Sequence, residues 1–221
     1  MSKRVRIWDL PTRLFHWALV ACLVGLAMTG YRGGAAMDWH ARLGYAVLTL
    51  LLFRIAWGFM GGRWSRFASF VYSPRTLIRY LKGTPHPDHL VGHSPLGAAS
   101  VFAMLAVLLA QVMTGLVGDD EISFTGPLNR FVAGSQGLAA TWYHKRVGQW
   151  ILLGLVVLHI AAVLFYLWKK KDNLVQPMLR GDKTLRHAVA PSRDDAASRL
   201  AALAVLAACA GAVTGLVKLG G

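Results

Sequence analysis

Four histidines lie within or at the edge of long apolar stretches of the sequence: His16, His40, His144 and His159. An imidazole in a hydrocarbon environment is costly unless it has a partner, so such histidines are functional candidates. Neutral imidazole is a common metal ligand, and an imidazole on each side of an iron porphyrin is the usual way to hold an electron-transfer haem. We therefore expect these four side chains to ligate a redox cofactor.

Five apolar runs carry or flank these histidines and must position them. Of all residues, 55% are hydrophobic and only 15% are charged. Each run is long enough to cross a hydrocarbon core of about 30 Å as a helix. We predict an all-α membrane protein in which four helices form a transmembrane bundle and a fifth, C-terminal transmembrane helix is added. The runs are residues 14–31, 41–60, 95–118, 147–168 and 200–217.

The positions of the basic residues predict the orientation of the chain. The net charge is +14, and the lysines and arginines cluster before the first run, between the second and third, and after the fourth. These three segments share one side of the membrane, which the positive-inside rule assigns to the cytoplasm. We expect a multi-pass protein of the bacterial inner membrane with a cytoplasmic N-terminus and a periplasmic C-terminus. Because topology explains the charge, nucleic acid is not an expected partner.

Depth in the bilayer predicts how the histidines pair. His16 lies near the cytoplasmic start of the first helix, whereas His40 opens a helix that starts on the opposite side. His144 is shallow on that outer side, and His159, 15 residues further along, is about 22 Å deeper. The two are offset by only roughly 60° around their helix. We predict two haem b groups, one held by His40 and His144 and the other by His16 and His159.

The pattern H-x-R-x-G occurs at both 40–44 and 144–148, and each copy opens a helix that runs inward. Its glycine, Gly44 or Gly148, lies one turn below the histidine and leaves room for a flat ring, or else serves helix packing. Its arginine, Arg42 or Arg146, lies where haem propionates would point, or else is an interfacial anchor. The repeat supports a shared role for the two segments.

Other polar residues are less specific. Arg54, near the inner end of the second helix, is interpreted as a side chain that snorkels to the interface. His86, His89 and His93 crowd one loop, where a solvated loop is favoured over a metal site. His93 is also a candidate for contact with the propionates of the inner haem.

Three stretches of the sequence are distinctive: VRIWDLPTRLFHW, WHARLGYAVLTLLLFRIAWGF and GHSPLGA. With the histidine pair of the fourth helix, they make residues 4–170 resemble the bacterial cytochrome b561 family, and most closely the b-type cytochrome subunits of nickel–iron hydrogenases. The resemblance implies a four-helix di-haem cytochrome with the same four histidines as ligands. The spacing of His144 and His159 is one residue longer than is usual in that family. This predicts either a local bulge in the fourth helix or an assignment that is off by one turn.

We expect residues 1–170 to form the cytochrome core, 171–199 a cytoplasmic linker and 200–221 an extra transmembrane helix. The expected function is transmembrane electron transfer between a quinone or a periplasmic redox protein and a partner, either a hydrogenase-like or a cytochrome c-like subunit. Two alternatives stay open. One is a stand-alone oxidoreductase acting on a small molecule such as superoxide or quinol, and the other is a haem-free anchor or metal transporter. Membrane lipid surrounds the helices in each case.

Overall fold

A computed structural model describes residues 3–84, 86–122, 124–185 and 187–220. Five helical segments in this part of the chain are long and apolar enough to cross a membrane, which confirms the predicted helical membrane fold. The helices are α1 (Leu10–Arg32), α2 (Met37–Met60), α3 (Pro74–Leu81), α4 (Pro95–Val117), α5 (Gly134–Tyr143), α6 (Gln149–Trp168), α7 (Val175–Arg180) and α8 (Ala196–Lys218). The strands are β1 (Lys3–Arg6) and β2 (Asp182–Leu185).

The fourth membrane segment begins earlier than the sequence predicts. Gly134–Tyr143, which we expected to be loop, is helix α5, and a π-helical turn at His144–Gly148 joins it to α6. The whole segment, Gly134–Trp168, has 35 residues. The small and polar residues of α5 hide its helical character from a search for apolar runs, but the Gln136 side chain caps its first turn by accepting the Ala133 N–H.

The chain forms two compact units. The first comprises the residues up to Phe15 together with Arg54–Ala103 and Val156–Ala204. The second comprises His16–Phe53, Met104–Leu155 and the residues from Val205 onward.

In the first unit, the N-terminal segment is fixed by main-chain pairing. Strand β1 pairs antiparallel with β2, with Arg4 opposite Thr184. The Ser192 N–H then donates to the Arg6 carbonyl at 2.8 Å, and its hydroxyl donates to the Ile7 carbonyl at 2.6 Å. The segment after the fourth membrane helix is therefore folded against the N-terminus. The apolar core here comprises Ile7, Trp8, Trp64, Val91 and Leu185.

Asp9 anchors the start of α1 within the same unit. Its carboxylate is fully buried and accepts hydrogen bonds from the Thr12 N–H at 2.9 Å, the Gly62 N–H at 2.7 Å and the Trp57 indole N–H at 3.1 Å. A carboxylate at this position satisfies an otherwise unpaired donor of the first helical turn. The conspicuous W-D pair of the sequence therefore has a structural role.

The second unit is held together by apolar side chains from several helices. Val47 and Leu51 of α2 pack with Leu108 of α4. In a second cluster, Leu48 and Leu116 pack with Val213 of α8. The C-terminal helix therefore contributes to the apolar core of this unit.

Candidate functional site

His40 and His144 lie side by side in the second unit. His40 is in the first turn of α2, and His144 is the first residue of the π-helical turn. Their ring centroids are 6.1 Å apart and their planes are inclined at 72°. The structure thus brings together the two imidazoles that the sequence predicts to lie at the same depth in the bilayer.

The ring of His40 is oriented by α1. Its Nδ1 lies 3.0 Å from the Leu26 carbonyl oxygen and 3.3 Å from the Thr29 hydroxyl. Because a carbonyl can only accept, Nδ1 carries the hydrogen and Nε2 keeps its lone pair for a ligand. A Cβ atom on Gly30 would lie 3.0 Å from Cε1 of His40, so this glycine allows the close approach of the ring.

The ring of His144 is oriented by α4 in the same way. Its Nδ1 lies 2.9 Å from the Gln111 carbonyl oxygen and 3.2 Å from the Thr114 hydroxyl. A Cβ atom on Gly115 would lie 3.4 Å from Cε1 of His144. The tautomer with Nε2 available for a ligand therefore follows for this histidine as well.

The two environments share a second sequence repeat, which our sequence analysis missed. The tripeptide M-T-G stands at 28–30 in α1 and at 113–115 in α4. In each copy the threonine and glycine contact an imidazole, and the carbonyl that accepts from Nδ1 lies three residues before the threonine. Each H-x-R-x-G segment is thus matched by one M-T-G segment.

The π-helical turn at His144–Gly148 confirms the predicted bulge in the fourth membrane helix. Within it the Gln149 N–H donates to the His144 carbonyl five residues earlier, which is the pattern of a π-helix. The Gln111 side-chain amide also donates to this carbonyl at 2.9 Å. The bulge lies at the start of the 15-residue interval from His144 to His159.

The glycines of the two H-x-R-x-G segments differ in their surroundings. Apart from the adjoining backbone of its own helix, no described atom lies within 4 Å of where a Cβ on Gly44 would be, so there is open space one turn below His40. At Gly148 a Cβ would overlap the Gln111 side chain and lie 2.8 Å from the Tyr143 ring. The expectation of open room at Gly148 is therefore wrong, and this glycine serves helix packing at the bulge.

His16 and His159 lie in different units. His16 is in α1 of the second unit, where its ring meets the edge of Trp17 at a centroid distance of 5.0 Å. His159 is in α6 of the first unit and is partly buried. Their pairing stays a prediction.

Arg54 does not snorkel, which corrects its interpretation from sequence. Only 3% of the residue is exposed, and its guanidinium lies over the Phe67 ring, 4.8 Å from the centroid. Aromatic rings of the first unit surround it, so the side chain is directed into the protein. Sequence position alone could not reveal these partners.

The loop histidines do not form a metal site within the described residues, among which no group of three or more potential ligands is found. His86 is largely exposed, as expected of a solvated loop. His89, in contrast, is buried, and its ring meets Tyr72 at a centroid distance of 5.1 Å. The expectation of a solvated loop is therefore wrong for His89.

Five helices of the described chain are long and apolar enough to cross a membrane, which is the mark of an integral membrane protein. The profile of the prokaryotic cytochrome b561 family matches residues 7–181. The chain belongs to this family, and membrane electron transfer and a haem b cofactor follow as its class of function and cofactor.

Relatives of the chain carry consistent names. It is 25% identical over 209 residues to the probable Ni/Fe-hydrogenase 1 B-type cytochrome subunit of Escherichia coli K12, covering 79% of this chain and 88% of the relative. It is 25% identical over 219 residues to the probable Ni/Fe-hydrogenase B-type cytochrome subunit of Rhizobium leguminosarum bv. viciae, covering 82% and 90%. The subunit of Azotobacter chroococcum is 27% identical over 211 residues, covering 80% and 87%. No solved structure matches the chain.

Proposed function

We propose that the protein carries electrons across the membrane through two bis-histidine haem b groups, and that His40 and His144 are the axial ligands of one of them. The observation that carries the proposal is the separation of the two imidazoles, with each Nδ1 directed to a main-chain carbonyl. That arrangement presents Nε2 of both rings to a ligand. A haem supplies one-electron redox chemistry, and the chain supplies ligation, spacing and an apolar environment.

The dimensions of the pair fit an iron between the two rings. A metal–imidazole nitrogen bond is about 2.0–2.1 Å, and each nitrogen is about 1 Å from its ring centre, which gives a centroid separation of roughly 6 Å. The centroids are 6.1 Å apart. The open space beside Gly44 offers room for a macrocycle next to His40. Residues and cofactor are therefore compatible.

We propose His16 and His159 as the ligands of the second haem. One support is the depth in the bilayer that the sequence predicts for both residues. The other is the bulge in the fourth membrane helix, which would absorb the one residue by which the spacing of His144 and His159 exceeds the usual spacing of the family. Fifteen residues of helix separate His144 from His159 by about 22 Å. The two haems would thus lie at different levels of the bilayer.

The proposed exchange partners are a quinone and a redox protein. Because the relatives are named as B-type cytochrome subunits of Ni/Fe-hydrogenases, we propose a hydrogenase-like subunit as the protein partner, with a cytochrome c-like subunit as the alternative. The distribution of basic residues supports a cytoplasmic N-terminus and a periplasmic C-terminus in the inner membrane.

Purification of the full chain with its native haem tests the proposal. We expect a reduced absorption spectrum of bis-histidine haem b, two haems per chain by extraction, and two steps in a potentiometric titration. A colourless protein would overturn the proposal. One haem per chain would overturn the proposed site at His16 and His159 and would leave the site at His40 and His144 in place.

A further inference from the structure

We infer that Arg54 and His93 of the first unit form a binding site for a carboxylate, and that its occupant is a propionate of the haem held by His159. This inference rests on the proposed function. Two buried polar atoms in the same unit, Nη1 of Arg54 and Nδ1 of His93, have no hydrogen-bond partner among the described residues.

The guanidinium of Arg54 is buried, and its Nη1 has neither a hydrogen-bond partner nor an ion pair within the described part of the chain. Asp9 is the acidic residue whose charge acts on it, but the Asp9 carboxylate already accepts three hydrogen bonds, from Thr12, Trp57 and Gly62. A buried charge is strongly unfavourable unless it is paired and hydrogen-bonded. A guanidinium can donate two parallel N–H bonds to a carboxylate or a phosphate. The side chain is therefore poised for an anion.

His93 supplies a second donor. Its ring lies between Trp8 and Phe70, at centroid distances of 4.7 and 4.3 Å. Burial, followed by the positive charge of Arg54 and the electrostatic effect of His159, lowers the pKa of His93 to about 3. The imidazole is thus neutral at physiological pH and can donate one N–H to an anion without adding another charge to the cluster.

The position of His159 identifies the occupant. His159 belongs to the same unit as Arg54 and His93 and acts electrostatically on His93, so we assign the two unpaired donors to the haem proposed at His159. Phe67, Phe70 and Phe102 form an aromatic cluster with centroids 5.5–5.8 Å apart beside Arg54, and the Phe102 ring is exposed at its edge, where a flat apolar macrocycle could pack. The propionates are the anionic groups of a haem. A phosphate from an acidic lipid shares the charge and is the other source to be tested.

A chemical double-mutant cycle tests the inference on the full-length protein. Haem-free wild type, Arg54→Met and the control Arg63→Met are reconstituted with haem b or with its dimethyl ester, and the loss of haem to a scavenger is measured. Arg63 is an exposed arginine of the same unit, so its substitution changes the net charge equally. We expect Arg54→Met to weaken haem retention about ten- to one-hundred-fold with native haem, as for a lost charged hydrogen bond, and to have little effect with the ester. His93→Phe should follow the same pattern more weakly, and Arg63→Met should match wild type.

Equal losses with haem and with its ester would overturn the inference, because Arg54 would then act through packing alone. Unchanged retention with both would overturn it as well. The measurements are made in nanodiscs of neutral lipid and in nanodiscs that contain an acidic lipid. An effect of Arg54→Met that appears only with the acidic lipid would identify a lipid phosphate as the occupant and would refute the propionate. Failure of wild type to bind any haem would instead refute the proposed function, so the two failures are distinguishable.

Discussion

The ring centroids of His40 and His144 lie 6.1 Å apart, and each ring is oriented by a carbonyl of another helix, Leu26 for the first and Gln111 for the second. Because the orienting groups belong to the main chain, substitution of Leu26 or Gln111 leaves them in place. Substitution of the threonines or glycines of the two M-T-G segments, by contrast, changes groups that lie directly against the two rings.

Thr29 should tune the reduction potential of the haem bound by His40. Its hydroxyl donates to the Gly25 carbonyl at 2.7 Å, which directs an oxygen lone pair towards Nδ1 of His40. In Thr29→Val the Nδ1–H loses this second acceptor, the imidazole becomes a weaker donor to iron, and the oxidised state is less stabilised. We expect the potential of one haem to rise by about 20–60 mV, with full haem content.

Thr49→Val is the matched control for this titration. Thr49 makes the same type of hydrogen bond, to the Tyr45 carbonyl at 3.0 Å, with no contact to either histidine in the described structure. Equal shifts in the two variants, or no shift in Thr29→Val, would show that Thr29 does not act through His40.

Gly44→Ala should expel one haem without destabilising the haem-free protein. A Cβ at Gly44 meets open space, and alanine favours a helix over glycine by roughly 0.5–1 kcal/mol. If a porphyrin occupies that space, the added methyl group collides with it. Haem content and the melting temperature of the haem-free protein measure the two effects.

Two further glycine variants complete this comparison. Gly148→Ala should lower both haem content and stability, since its Cβ overlaps Gln111. Gly211→Ala, in α8 and likewise in open space, should leave haem content unchanged. Full haem content in Gly44→Ala would place the macrocycle elsewhere.

Deletion of Lys145 should convert the π-helical turn to α-helix and preserve the haem at His144. The Gln149 N–H already donates to the His144 carbonyl, and removing one residue between them turns this bond into an ordinary α-helical one. Lys145 is exposed, and its 3.5 Å ion pair with Asp120 contributes little. Haem spectra measure the outcome. As a comparison, an alanine inserted after Val156, where the helix has no bulge, should rotate the rest of the helix by about 100° and disrupt ligation by His159. Loss of the His144 haem on deletion would contradict this account of the bulge.

The attachment of residues 192–199 to the N-terminus should weaken in acid. Burial raises the pKa of Asp194, but hydrogen bonds from Arg199 and the Leu10 N–H, with the charges of Arg199 and Arg6, outweigh it and leave the pKa below its ordinary value of 3.8. A carboxyl group with a lowered pKa stabilises the folded state above its unfolded pKa, and the contribution disappears as pH falls through the folded value.

Hydrogen exchange of residues 3–12 and 190–199 measures this attachment. Protection should be constant above about pH 5 and fall below about pH 4. Asp194→Asn should reduce protection at neutral pH and flatten the profile. Asp195→Asn should have a smaller effect, because Asp195 pairs with Arg193 at the exposed surface. An unchanged profile in Asp194→Asn would show that the ion pairs with Arg6 and Arg199 do not hold the segment.

The sequence predicted the features that local chemistry determines. Spans follow from hydropathy because a helix in lipid must satisfy its own main-chain groups. The starts of α3 and α4 coincide with the Ser-Pro pairs at 73–74 and 94–95, and the Ser73 and Ser94 hydroxyls accept from the N–H groups of Thr76 and Gly97 at 3.2 Å. The bulge was one of two expectations that followed from the resemblance, because His144 and His159 are one residue further apart than is usual in the cytochrome b561 family.

Features that depend on a distant partner were missed. Every residue has a main-chain carbonyl, so the sequence could not show that the carbonyl of Leu26 orients His40. The M-T-G repeat, in contrast, was visible in the sequence. The burial of Arg54 depends on Phe67 and Phe70, which belong to another segment. Strand β2 was not predicted because its partner, β1, lies nearly 180 residues earlier in the chain.

Electron paramagnetic resonance of the oxidised protein tests the shared haem of His40 and His144 most directly. Wild type should show two low-spin signals, and His40→Ala and His144→Ala should each remove the same signal and leave the other. His86→Ala, in the exposed loop, should retain both. Loss of different signals in the two variants, or retention of both signals in either, would contradict the pairing.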